Sequence, residues 1–237
     1  MGPAWSAVAC SSAALAQYAR SQPDAGQAVY VYAIDLESLG CEGDRREAAR
    51  GALRQVLGAH LGVTEEAAPL EHDENGRPQI AGTFGATALK VSSSRSGRLA
   101  VFALCTGHEV GIDIESVDAT RFGDDVAQTM LSRPELAIYA KLEDGLRARW
   151  LAEAWAAKEA ILKGMGLGLA VPPALVEPGL TMLASTLAPV RWRTATVPGS
   201  WSVTSMPWNG HVIALAQRGP GLPLRCAQLL CREAISC

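Results

Sequence analysis

No stretch of the 237-residue chain stays apolar for the length of a membrane span, so nothing in it predicts a transmembrane helix. No basic residue precedes Arg20, and the small, apolar start from Met1 to Gln17 therefore lacks the charged region that opens a secretory signal. A helix or ordered arm packed on the domain is the expectation there. The six cysteines (Cys10, Cys41, Cys105, Cys226, Cys231 and Cys237) form no dense disulfide pattern, and Cys226 and Cys231 have no neighbouring ligands to complete a zinc site. Reduced thiols and a cytoplasmic location are expected. A formal net charge of −3 supplies no positive excess for a nucleic-acid backbone. Neither nucleic acid nor membrane is an expected partner.

The chain does have ample apolar material. At 49% hydrophobic residues it can bury one large core or two small ones. Val29–Leu36 reads as a strand by its β-branched and aromatic content. Asp44 caps a predicted helix that runs to Leu61 and stops at Gly62. Arg46, Arg50 and Arg54 make a basic stripe along it. Glu71–Pro78 is a turn-rich loop. Strands are expected at Ala88–Val91 and Arg98–Leu104 around a turn at Ser92–Gly97, then at Val110–Glu115. Helices are expected at Phe122–Leu131, Pro134–Leu142 and Leu146–Lys163, the last ending at Gly164. Short strands follow near Val190–Thr194, Trp201–Thr204 and Val212–Ala216, with a surface helix in the tail after Gly219. Strand, long helix, loop and strand pair thus appear before residue 108 and again after it.

Two segments concentrate the chemistry. Along the strand Gly111-Ile112-Asp113-Ile114-Glu115, alternation sends Ile112 and Ile114 toward a core and Asp113 and Glu115 the other way. In Trp155-Ala-Ala-Lys158-Glu159-Ala-Ile-Leu-Lys163, helical spacing puts Glu159 and Lys163 on one face. If helix and strand lie side by side, three carboxylates and a lysine converge. Such hard oxygen donors suit Mg²⁺.

Gly-Ile-Asp-x-Glu, a gap of 44 residues from Glu115 to Glu159, and Trp-x-x-Lys-Glu-Ala-x-x-Lys resemble the signature of the 4′-phosphopantetheinyl transferases. Gly76-Arg77-Pro78 is similar to the family's Gly-Lys/Arg-Pro, and Ser94-Arg95-Ser96 stands where the family has Ser-His-Ser. The chain length resembles the surfactin type, a pseudo-dimer within one chain. That resemblance implies an α+β fold of two similar lobes related by a pseudo-two-fold axis, each a small, mainly antiparallel sheet on a long helix. The lobes are expected at residues 1–108 and 109–237, with the active site at their junction.

The implied reaction moves 4′-phosphopantetheine from coenzyme A to a serine of an apo acyl or peptidyl carrier protein and releases 3′,5′-ADP. The chain is expected to act as a monomer. Asp113, Glu115 and Glu159 are the implied ligands of Mg²⁺, for which Mn²⁺ could substitute. Glu159, Lys163 and Asp113 are the implied catalytic residues, with Glu159 as general base. Arg50, Arg77, Ser94, Arg95, Ser96, Lys158 and Lys163 are implied to bind coenzyme A. Arg95 departs from the family's histidine but offers a fixed charge and a fork of donors for phosphate. A register shifted by one or two residues would put Ser93 there instead. The alternative function is a silent coenzyme A or carrier-binding module with the same fold. An apolar acceptor surface is expected around Phe122–Leu131.

Overall fold

The computed structural model describes residues 3–21, 28–39, 44–74, 76–82, 88–177, 190–193 and 200–231. It is a mixed α and β structure that divides into two compact units. One contains residues 4–107 with 222–237; the other contains 108–221 with 1–3.

The first unit is built on a five-stranded sheet in the order β1-β11-β2-β6-β5. Its strands are β1 (Trp5–Ala9), β2 (Val29–Asp35), β5 (Leu89–Ser96), β6 (Leu99–Thr106) and β11 (Leu224–Leu230). The β2, β6 and β5 strands pair antiparallel, while β11 runs parallel to both β1 and β2. Burial of β2 on both faces explains its unbroken apolar run. The helix α1 (Ser12–Ser21) follows β1, and α2 (Arg45–Leu61) covers the face carrying Tyr30, Tyr32, Ala100, Phe102 and Leu104. Asp44 accepts a hydrogen bond from the Arg46 N–H at the start of α2, and Gly62 ends it at φ 72°. A hairpin of β3 (Leu70–His72) and β4 (Pro78–Ile80) closes the turn-rich loop.

The second unit has a four-stranded antiparallel sheet in the order β7-β10-β9-β8. Its strands are β7 (Val110–Ser116), β8 (Val190–Arg193), β9 (Trp201–Trp208) and β10 (His211–Arg218). Between β7 and β8 come α3 (Asp124–Met130), α4 (Arg133–Tyr139) and the long α5 (Asp144–Met165). The α5 helix packs its alanine-rich face, with Trp150, Leu151 and Ile161, onto Trp201, Val203, Ala214 and Ala216.

Four expectations need correction. The tail after Gly219 holds no surface helix in its described part: β11 inserts between β1 and β2, so the last strand belongs to the first unit rather than to a lobe running from 109 to 237. Ser92–Ser96 is strand, and the turn shrinks to Gly97-Arg98, with Gly97 at φ 58°. The α5 helix passes through Gly164 and ends at Gly166, whose φ of 74° suits a left-handed cap. Phe122, Ala127, Met130 and Leu131 are buried in the second unit's core, so the apolar side of α3 is already covered. Residues 194 and 232–237, parts of the sequence reading above, lie outside the described residues.

Candidate active site

The site in the second unit begins with a glycine. Alternation along β7 puts Gly111, Asp113 and Glu115 on one face, and that face lies under α5. A Cβ on Gly111 would stand 1.9 Å from the Ala160 carbonyl oxygen and 2.4 Å from the Gly164 nitrogen. On the helix, a Cβ on Gly164 would stand 2.6 Å from the Trp201 ring. The two glycines let helix and strand meet backbone to backbone. Asp113 and Glu115 thereby come beside Glu159 and Lys163.

The sequence placed this acid-bearing face away from the core, but the structure buries it. Asp113 is 3% and Glu115 7% exposed. The opposite face, with Ile112, Ile114, Ile213 and Leu215, is buried too. Lys163 Nζ donates to Asp113 Oδ1 at 2.6 Å. Arg121 grips Glu115 with two donors, Nη1 to Oε2 at 2.7 Å and Nη2 to Oε1 at 3.3 Å. Trp155 also donates a hydrogen bond to Glu115.

Burial, then the neighbouring Asp113 charge, pushes the Glu115 carboxyl up to about 7 against the pull of Arg121 and Lys163. The same two causes raise Glu159. Glu159 Oε1 is buried with no hydrogen-bond partner.

Among the described residues, no three carboxylate, histidine or cysteine side chains stand together as a ready metal cage. Basic partners already occupy two of the carboxylates: Lys163 holds Asp113 and Arg121 holds Glu115. The donor chemistry nevertheless fits a hard cation. Crowded carboxylates with raised proton affinity, and one orphaned carboxylate oxygen, would all be relieved by added positive charge.

Lys158 departs most from expectation. Its side chain is fully buried, and its three donors go to Glu135 Oε2 at 2.7 Å, Pro173 O at 3.0 Å and Val176 O at 2.6 Å. An ammonium with three donors so engaged has none left for a phosphate. Glu135 also accepts from the Ser132 N–H, so Lys158 ties α5 to the start of α4 and to the segment after α5.

A second cluster lies in the first unit. A cavity of about 330 Å³ is lined by Arg46 and Arg50 of α2, His72 of β3, and Ser93, Ser94 and Arg95 of β5, over Leu53 and Phe102. Arg50, Ser94 and Arg95, which the family resemblance implies as coenzyme A contacts, are among its lining residues. Register sorts the serines: Ser93 and Arg95 pair with Phe102 and Ala100 on the α2 face, whereas Ser94 and Ser96 alternate to the other. Ser96 is buried and lines no part of the cavity, and Arg77 is not among the lining residues either, although Gly76 is. Sequence reasoning missed His72, Arg121 and Glu135. The first two lie in loop-rich sequence without periodic pattern, and Glu135 sits in the first turn of α4, where an acidic residue is ordinary.

Residues 109–216 match the model of the 4′-phosphopantetheinyl transferase superfamily. The chain is 29% identical over 178 residues to the 4′-phosphopantetheinyl transferase HetI of Nostoc, covering 75% of this chain and 72% of that protein. It is 47% identical over 60 residues to a holo-[acyl-carrier-protein] synthase of Photobacterium profundum, covering 24% of this chain and 46% of the synthase. The crystal structure of the Thermotoga maritima holo-[acyl-carrier-protein] synthase aligns at 21% identity and a TM-score of 0.34, over 49% of this chain and 64% of that one. The family match and the two sequence relatives make the chain similar to 4′-phosphopantetheinyl transferases, most of all in residues 109–216.

Proposed function

We propose that the protein transfers 4′-phosphopantetheine from coenzyme A to a serine hydroxyl of an apo acyl or peptidyl carrier protein, releasing 3′,5′-ADP. The observation that carries this reading is the Gly111–Gly164 seam, which brings Asp113, Glu115, Glu159 and Lys163 to one place in the unit that matches the superfamily.

Each residue has a role its surroundings suit. Asp113, Glu115 and Glu159 would hold Mg²⁺ or Mn²⁺, which supplies positive charge to the pyrophosphate. Glu159, with its raised proton affinity, accepts the proton of the attacking serine. The serine oxygen forms a bond to the phosphorus on the pantetheine side, and the bond to 3′,5′-ADP breaks. Lys163 fixes Asp113 and places an ammonium beside the departing charge. Arg46, Arg50 and Arg95 suit the phosphate of the adenosine end, with Phe102 and Leu53 as an apolar floor for its ring. The surfactin type, acting as a monomer, is supported by chain length and by the strand, long helix and strand-pair order that recurs in each unit.

The test is incubation with coenzyme A, Mg²⁺ and an apo carrier. The carrier should gain the mass of phosphopantetheine, and Glu159→Gln should slow this on the order of 10²-fold or more. Binding of coenzyme A without any mass gain, across several carriers, would replace the transferase with a silent binding module.

A further inference from the structure

The first unit's cavity contains one group that a set of fixed charges does not need. Arg46, Arg50 and Arg95 bring three guanidinium groups to it, and a guanidinium is a fixed charge. His72 lines the same cavity from a different element, the β3 strand, and can gain or lose a proton there. Resting on the coenzyme A reading above, we propose that His72 is a phosphate-binding residue that takes up a proton when the 3′-phosphate enters, so that the cavity binds the dianion with three fixed charges and one acquired charge.

The surroundings of His72 set the direction. From α2 it faces Arg46, Arg50 and Arg54, with Glu47 among them; from β5 it faces Arg95; from its own turn, Asp73. Partial burial, then Arg50 and Arg54, keeps the empty site's imidazole less basic than usual, while Asp73 and Glu47 pull weakly the other way. Glu47 is in turn shared between Arg50 at 3.5 Å and Arg54 at 3.3 Å. A phosphate dianion reverses the local sign, because an opposite charge within hydrogen-bond reach favours the protonated ring. His72 thus takes a proton less readily in the empty cavity than in the filled one.

The phosphate itself titrates near pH 6, and arginines favour its dianion, so binding to the arginines alone releases protons. His72 works in the opposite sense. The informative quantity is therefore the difference between the parent and His72→Gln, which keeps size and a donor but does not titrate. Calorimetric titration with coenzyme A in two buffers of different ionisation enthalpy counts the protons exchanged. At pH 6.5–7.5 the parent should take up more protons per molecule bound than His72→Gln. Its affinity should fall about ten-fold further from pH 6 to pH 8, the equivalent of one pK unit of coupling.

With 3′-dephospho-coenzyme A the difference should vanish. Arg95→Ala should lose affinity yet keep the proton difference relative to Arg95→Ala/His72→Gln. Inorganic phosphate should reproduce the proton difference at lower affinity if the cavity reads the phosphate alone, and it should show none if the adenosine is needed to seat it. In either case the coenzyme A result supports the role of His72. If the parent and His72→Gln exchange the same number of protons with coenzyme A, the inference is wrong and the transferase reading stands. If the parent does not bind coenzyme A, both are wrong.

Discussion

Where α2 covers the first unit's sheet it meets Tyr30, Tyr32 and Ile34; where α5 covers the second unit's sheet it meets Gly111, Asp113 and Glu115. The strands correspond in order and pairing, since β2 pairs with β6 and β6 with β5, just as β7 pairs with β10 and β10 with β9. A hydrogen bond crosses from helix to strand in both. In the first unit His60 Nε2 and the Tyr32 hydroxyl are 2.7 Å apart; in the second Lys163 donates to Asp113 at 2.6 Å. Yet the tyrosine rings of one seam stand between helix and sheet, with Tyr30 packed edge-on against His60 at 4.7 Å. In the other seam the glycines remove any spacer. One layout thus makes a neutral aromatic core in one place and a crowded set of charges in another. What differs is side-chain size at the crossing point, and size decides whether carboxylates can be brought under a helix.

The strongest way to break this contrast is through Lys158. If it is the bolt of the charged unit, Lys158→Ala strands Glu135 in the interior and should cost about 3–5 kcal/mol in unfolding free energy. Replacing both partners with apolar residues of similar volume, as in Lys158→Met/Glu135→Leu, should recover most of that loss. Urea unfolding measures both. A Lys158→Ala protein of unchanged stability but weakened coenzyme A binding would return Lys158 to the phosphate role that the family resemblance implies.

Gly111→Ala comes next. The added methyl meets backbone atoms, which cannot rotate away, so helix and strand must separate. Overpacking of this kind typically costs about 1–3 kcal/mol, and this position should lie at the upper end. In the first unit's seam the buried Tyr30 packs against His60, and Tyr30→Phe there keeps the ring and should be mild by comparison. Thermal unfolding of the two variants checks the ranking. A Gly111→Ala protein that unfolds at the parent's temperature would mean that the close approach is absent.

This contrast explains what could be read from the sequence. Helix α2 was legible because Asp44 and Gly62 mark its ends and the apolar spacing is regular. The same signals misled at Gly164, where a glycine near a helix end looked like a cap but serves a packing contact two residues before the true cap. The acidic strand was legible as residues, not as an environment. Alternation predicts which side chains share a face, but it does not say that a helix will cover that face. Lys158 was misread for a related reason: its partner Glu135 lies 23 residues away, and no local spacing reports such a pairing. The tail's strand was missed because β11 joins strands from the other end of the chain.

The finest test separates the two seams by pH. Burial pushes His60 down to about 4, below its ordinary 6.5. Between these values the unfolded chain binds more protons than the folded one, so this group's contribution is present above about 6.5 and is lost as pH falls toward 4. Glu115 behaves oppositely. Its folded value of about 7 lies above the ordinary 4.5, so the folded state holds the extra proton, and stability is lost as pH rises from about 4.5 through 7. In the metal-free parent the two slopes oppose each other between about pH 4.5 and 6.5. Relative to the parent, Glu115→Gln should therefore tilt the stability upward with pH across this range and His60→Gln should tilt it downward, while Glu159, raised for the same reasons as Glu115, adds the same declining contribution to all three proteins. After allowance for solvent screening, each change should be on the order of 1 kcal/mol, read from urea unfolding at pH 5 and pH 6.5 in the presence of a chelator. Mg²⁺ favours the ionised carboxylate, so adding it should flatten the Glu115 slope and leave the His60 slope alone. If both variants keep the parent's pH dependence, the two seams do not differ in charge as their geometry implies.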